Sequence, residues 1–181
     1  MGEHDYPRWR IVWSRLFTLA AGTSVDLAEE WPSAAQWQAA DAVVFFRRGD
    51  WSDERAKDFD AFLARGGGAT FIHWSLEAGK GAPSLAMRLG LASNRAQTKY
   101  RHGAVDLVFD HAMRHPIARG FKKATFVDEA YWNLVPSPQT SVQPIAAAVE
   151  AGGPQPQAWT QEPKAGGRIF VTLGGHYSSV F

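Results

Sequence analysis

The feature that most constrains this chain is a strand, helix, strand succession in its first half. Ala42-Val43-Val44-Phe45-Phe46 is an uninterrupted apolar run bounded by Asp41 and Arg47, the pattern of a strand buried on both faces. Ser52 then caps a helix, Asp53 and Glu54 fall in its first turn where the dipole favours acid, and Phe59, Phe62 and Leu63 make its buried stripe. Gly66-Gly67-Gly68 ends that helix, and Ala69-Thr70-Phe71-Ile72 returns as a short apolar strand ahead of a second helix from about Pro83 to Leu89. Strands joined through a helix lie parallel in one sheet. The rhythm therefore predicts an α/β three-layer sandwich around a mostly parallel central sheet, and 181 residues suffice for one such domain.

The flanking segments are read from the same signals. Trp9, Val12, Trp13, Leu16 and Ala20 sit at helical spacing behind Asp5 and Pro7 and ahead of Gly22, so residues 7–20 are expected as an amphipathic helix. Thr23 to Ala28 is a short strand candidate, and Ser33-Ala34-Ala35-Gln36 matches a capping box opening a brief helix around Trp37. Val105 to Phe109, Val142 to Val149, Gln157 to Thr160 and Arg168 to Leu173 read as further strands. Gly152-Gly153-Pro154-Gln155-Pro156 reads as a loop between strands, and Tyr100-Arg101-His102-Gly103 as a solvated loop before one.

Composition removes several function classes. There is no cysteine, which excludes thiol nucleophiles, thiolate zinc sites, iron–sulfur clusters and disulfides. The balance of 19 Lys+Arg against 18 Asp+Glu argues against nucleic acid or a membrane surface as an electrostatic partner. The start Met1-Gly2-Glu3-His4-Asp5 has no signal-peptide pattern, and no apolar run approaches the ~20 residues of a membrane helix. A cytoplasmic protein is the default expectation. Eight Trp and eleven Phe exceed what a small core needs; most are expected as core and helix–sheet filler, and the remainder as lining for a sugar or small-molecule pocket.

Chemistry gathers where strands end. His73 follows Phe71-Ile72, and His176 follows Leu173-Gly174-Gly175, so both are expected on the carboxyl rim of the sheet, where open parallel sheets bind ligands. Val127-Asp128-Glu129-Ala130-Tyr131-Trp132 adds two carboxylates, a phenol and an indole. Two imidazoles and a carboxylate suit Zn²⁺ or another divalent ion, and equally a general acid/base pair without metal. No tight ligand spacing such as His-Glu-x-x-His is present. The remaining histidines read more plainly: His4 and His111 as hydrogen-bonded structural groups, and His115-Pro116-Ile117 as a turn. Ser75 lacks the Gly-x-Ser-x-Gly elbow of a serine hydrolase. Gly66-Gly67-Gly68 precedes a strand, where a phosphate cradle would open a helix.

Taken in order, these segments resemble the ThuA-like (trehalose utilisation) family of the class I glutamine amidotransferase-like superfamily. The resemblance runs from about His4 to Tyr177 and rests on Asp41-Ala42-Val43-Val44-Phe45-Phe46, Gly66-Gly67-Gly68 with Phe71-Ile72-His73-Trp74-Ser75, His115-Pro116-Ile117 with Gly120-Phe121, Asp128-Glu129-Ala130-Tyr131, and Leu173-Gly174-Gly175-His176-Tyr177. It implies a flavodoxin-like sandwich and a role in catabolism of trehalose or a related sugar derivative. The implied catalytic residues are His73, Glu129 and His176, which are also the candidate ligands of a divalent metal such as zinc. Trp74, Ser75, Tyr100, Arg101, His102, Asp128, Tyr131 and Tyr177 are the implied substrate-binding residues. True amidotransferases carry a cysteine at the elbow after the third strand; here His73-Trp74-Ser75 stands there, so that route of glutamine hydrolysis is closed. A hydrolase, lyase or isomerase of sugar derivatives and a non-catalytic carbohydrate-binding or accessory domain both remain open. Against the family's architecture a first strand and a last helix are expected to be lacking, and with them a homo-oligomer or a partner strand completing the sheet.

Overall fold

The computed structural model describes residues 4–109 and 114–177, and His111 lies outside them. In chain order the elements are α1 (Tyr6–Thr18), α2 (Ala34–Ala39), β1 (Ala42–Phe45), α3 (Asp53–Ala64), β2 (Gly68–Ile72), α4 (Ala82–Leu89), β3 (Leu91–Ala92), β4 (Lys99–Val108), β5 (Lys123–Trp132), β6 (Val135–Pro136), β7 (Gln143–Glu150), β8 (Gly153–Gln161) and β9 (Arg168–Thr172). Seven strands form one sheet in the order β1-β2-β9-β8-β7-β4-β5, and β3 pairs with β6 beside α4. The expected α/β class holds. The expected mostly parallel sheet does not: only β1 with β2 and β2 with β9 run parallel, and the four remaining junctions are antiparallel. Past β4 consecutive strands pair directly as β4–β5, β7–β8 and β8–β9 with no α-helix between them among the described residues; the short turn at Ala151-Gly152 simply reverses β7 into β8.

Around the parallel strands the sequence signals translate directly. Ser33 and Gln36 form the capping box of α2, and Ser52 accepts from the Arg55 amide at the start of α3. α3 lays Phe59, Phe62 and Leu63 on the sheet, where Phe59 meets Phe71 at 5.5 Å between ring centroids and Phe45 stacks on Phe71 at 4.5 Å. Each such buried aromatic contributes roughly 2–3 kcal/mol from apolar burial. The glycine run is a packing device. A Cβ on Gly67 would stand 2.4 Å from the Phe62 ring, and Gly167, at φ +76°, passes 2.6 Å from the Gly67 carbonyl measured to such an atom.

Two local expectations change. β1 is the sheet's edge, with Ala42 and Val44 exposed and only Val43 and Phe45 turned inward, so it is not buried on both faces. Thr23 to Ala28 forms no strand, and Tyr100-Arg101-His102-Gly103 belongs to β4 rather than to a loop. Pro154 and Pro156, which argued for a linker, sit inside β8. They are tolerated because β9 pairs only with Ala158 to Gln161, so the proline-bearing end of β8 has a ladder on the β7 side alone. Most tryptophans serve the core: Trp9, Trp37 and Trp159 are buried, and Trp159 donates its indole N–H to the Leu89 carbonyl at 2.7 Å. No helix among the described residues is long and apolar enough to cross a membrane.

The sheet curls back on itself at its antiparallel end. β4 and β5 make a ten-residue hairpin ladder, yet β4 is registered to β7 at one pair, Val108↔Ala147. Away from that pair the hairpin swings over β8 and β9, where the Gln157 side chain bridges both backbone groups of Tyr131 at 3.0 and 2.7 Å. The bend is held by Arg101, whose guanidinium forks onto the buried Glu150 carboxylate at 2.9 and 2.5 Å.

Candidate functional site

The curl brings the ends of β2 and β9 against the middle of the β4–β5 hairpin. His73 leaves β2 at φ +52°, a left-handed turn that a non-glycine residue adopts at a cost of order 1 kcal/mol or more, and it opens a short 3-10 turn over His73–Leu76. The sharp turn aims the imidazole across the sheet rim. Its Nδ1 meets the Leu173 carbonyl at 2.9 Å. A carbonyl only accepts, so Nδ1 carries the hydrogen and Nε2 presents its lone pair inward. Burial at 3% exposure holds this imidazole neutral, pulling its pKa down to about 3, with the neighbouring His176, His4 and His102 adding smaller effects in the same direction.

His176 arrives from β9 and is placed by Asp128. That buried carboxylate accepts the amides of Gly175 at 2.7 Å and His176 at 3.0 Å, tying the loop after β9 to β5. Gly174 permits the approach, since a Cβ there would lie 3.3 Å from Asp128 Oδ2. Glu129, next along β5, turns its carboxylate into the same space. Its Oε2 lies 3.6 Å from His73 Nε2 and 3.4 Å from His176 Nδ1, and the two imidazole nitrogens are 3.4 Å apart.

Around this triangle stand three more polar groups. The Tyr131 hydroxyl donates to Glu129 Oε2, and burial with the adjacent carboxylate charge pushes the phenol pKa up, so it stays protonated. His102 on β4, directly opposite Glu129 in register, places Nε2 3.1 Å from Glu129 Oε1 and Nδ1 3.0 Å from the Tyr177 hydroxyl. His4 reaches in ahead of α1, with Nε2 3.1 Å from His73 Nε2 and its ring 4.2 Å from that of Trp74. Two overlapping sets, His4, His73 and His176, and His102, Glu129 and His176, each bring one ligand atom per residue within 4.8 Å of the others.

The structure thus gathers His73, Glu129, His176, Tyr131, His102 and Tyr177, with Trp74 and Tyr100 on the rim; Tyr100 stacks obliquely 5.7 Å from Tyr131. Asp128 acts from behind, through the backbone of His176. Arg101 turns away to Glu150, and Ser75 is buried with no hydrogen-bond partner for its hydroxyl among the described residues. Two contributors escaped the sequence. His4 has no neighbouring motif, and only the fold carries it across to His73. Glu77, isolated in sequence, is a buried carboxylate that accepts from Ser93 Oγ at 2.8 Å and from the amides of Gly79 and Arg95, bracing the turn that aims His73. Behind the site a cavity of about 160 Å³ runs along Val105, Leu107, Phe126, Asp128, Glu129, Gln157, Thr172 and Gly174. Ligand pockets of ~300 Å³ and upwards are usual, so this cavity is small for one, and the cluster's more open side is the His102, Tyr100 and Trp74 rim.

Residues 9–181 match the profile of the ThuA family, described as trehalose utilisation. The chain belongs to that family. Among solved structures it is similar to a ThuA-like protein from Parabacteroides merdae, at 19% identity and a TM-score of 0.75, over 97% of this chain and 77% of the other. A ThuA-like protein from Bacteroides uniformis matches at 16% identity and a TM-score of 0.62, over 81% and 64%. A β-galactosidase from Halorubrum lacusprofundi shares the fold at 16% identity and a TM-score of 0.53, over 78% of this chain and 21% of its own. No curated protein matches the chain. This ThuA-family chain therefore shares a fold with proteins of quite different length, while its histidine and carboxylate cluster is a property of its own residues.

Proposed function

We propose that the chain is an enzyme of carbohydrate catabolism acting on trehalose or a related sugar derivative, with a divalent cation held by His73, Glu129 and His176. The observation that carries this reading is the triangle of 3.4, 3.4 and 3.6 Å between their donor atoms. Ligands at ~2.0–2.1 Å from a tetrahedral zinc stand about 3.3–3.4 Å apart, so the triangle has the dimensions of one face of such a site. The Glu129 carboxylate and the inward nitrogens of two nearly dry imidazoles face one another at 3.4–3.6 Å, an arrangement that suits a shared proton or a cation between them. The Leu173 carbonyl orients His73 as an outer partner of a metal ligand does. The nitrogen and oxygen donors suit Zn²⁺ or a similar borderline ion and leave a fourth position for a further ligand. Tyr131, kept protonated beside Glu129, is placed to hold that carboxylate by its hydroxyl hydrogen bond, and His102, half-exposed on the rim, to exchange a proton. Hydrolysis, elimination and isomerisation of a sugar derivative all use such a set; glutamine hydrolysis through a cysteine does not, as there is none.

The test is metal content by mass spectrometry together with turnover of a panel of disaccharides and their oxidised derivatives, for the natural chain and for His176→Ala. Expected are about one equivalent of divalent metal and sugar-dependent conversion, both lost in the variant. Unchanged metal content and turnover in His176→Ala would remove the site from this reading. A second reading, a non-catalytic carbohydrate-binding or accessory domain, is favoured by one observation: the unit of like fold occupies about a fifth of a β-galactosidase chain. Calorimetric sugar binding without conversion would support it.

A further inference from the structure

The N-terminal helix is attached to the domain in an unusual way. α1 buries only Trp9, which packs 4.5 Å from Phe46 between ring centroids, while Ile11, Val12, Leu16 and Leu19 are exposed. Burial alone secures it weakly. Yet its leading residue is held in a demanding conformation. His4 lies at φ +48°, its carbonyl accepts the Tyr6 amide at 2.8 Å, and Asp5 caps the helix through the Arg8 amide. The turn throws the His4 imidazole back over Trp74 and onto the cluster, 5.3 Å from the His73 ring and 4.7 Å from the His176 ring. Its Nε2 stands 3.1 Å from His73 Nε2, close to the ~3.3–3.4 Å edge of a tetrahedral ligand set.

We propose that His4 is the fourth ligand of the cation held by His73, Glu129 and His176, so that cation binding clamps the N-terminal helix onto the sheet. The inference rests on the cation reading above. Its consequence is a site assembled from three separate parts: the N-terminal segment, the carboxyl ends of β2 and β9, and the β4–β5 hairpin. Because His4 precedes a helix that buries only Trp9, it would be the ligand most readily exchanged for an incoming oxygen.

The probe is Co²⁺, titrated into the chelator-stripped full chain and followed by visible absorption, with hydrogen exchange of residues 6–18 measured in parallel. The natural chain should show the intense bands of a four-coordinate ion and slowed exchange in α1 when Co²⁺ is added. His4→Ala should bind at least about tenfold more weakly, with displaced bands as water replaces an imidazole and no slowing in α1; His4→Gln should behave likewise. Both variants should unfold at the natural temperature when no metal is present, which separates a lost ligand from a lost fold. Equal affinity and identical spectra in His4→Ala would overturn the role of His4 and leave the three-residue site standing. Failure of the natural chain to bind Co²⁺ would overturn the cation reading and this inference together.

Discussion

The two ends of the sheet are built on different principles, and the site exists because they meet. At the parallel end, β1, β2 and β9 are held by what lies on their face: α3 seals them with Phe59, Phe62 and Leu63, and glycines let the backbones close up. At the antiparallel end, β4 and β5 are held by what lies beside them: a full ladder within the hairpin, one registered pair to β7, and polar tethers at Glu150, Gln157 and Asp128. The first end offers imidazoles at strand termini, where there is room for a turn. The second offers a carboxylate and a phenol from within a strand, where side-chain direction is fixed by the pleat. Neither end alone gathers the two imidazoles and the carboxylate.

The largest expected effect lies in the parallel half. Phe59→Ala should cost roughly 3–5 kcal/mol, seen as a large drop in the thermal midpoint, with loss of order spread across α3, β1 and β2. A drop of under ~1 kcal/mol would show that this half does not depend on its helical cover. Arg101→Ala should cost less, about 2 kcal/mol, because it strands the buried Glu150 carboxylate while the guanidinium itself is partly in water. Its signature should be local: faster hydrogen exchange in β4 and β5 with α3 unchanged. Uniform acceleration would mean that the two ends unfold as one body.

Smaller still is the effect of pH on the chelated chain. The unfolded imidazole of residue 73 gains its proton near pH 6.5, whereas the folded one resists until about pH 3. Below pH 6.5 the unfolded state therefore binds more protons, and stability present at neutral pH is lost as the pH falls towards 3, by at most about 1.4 kcal/mol per unit. The groups facing His73 are His4, His176, Glu129 and Tyr131, so the proper measure is the difference in urea midpoint between the natural chain and His73→Gln at pH 7 and 5. Parallel slopes for the two would show that another of these groups carries the dependence.

Legibility followed the same division. α1, α3, α4, β2 and β9 were readable because an amphipathic period or an apolar run between glycines records what lies on a face. The direction of β7, β8, β4 and β5 was not, because antiparallel pairing depends on turns and on partners far away in sequence, and two prolines disguised β8 as a linker. His73 and His176 were legible from their place after strands. Glu129 was legible only as part of a polar cluster, and its opposition to His102 follows from hairpin register. His4 carried no signal, since the contact joining it to His73 spans 69 positions.

The β4–β5 hairpin is also a lever. It is hinged at Val108↔Ala147, and His102 and Glu129 sit six residues along it, about 20 Å from the pivot at ~3.3 Å per residue. A rotation of about 5° at the hinge would shift Glu129 by nearly 2 Å, more than the difference in bond length between a zinc and a calcium ligand. The tethers that stop this rotation, Arg101 with Glu150 and Gln157 with Tyr131, thus act as a gauge. Adjusting either would reset the spacing between Glu129 and the imidazoles of His73 and His176 without altering any of those three residues.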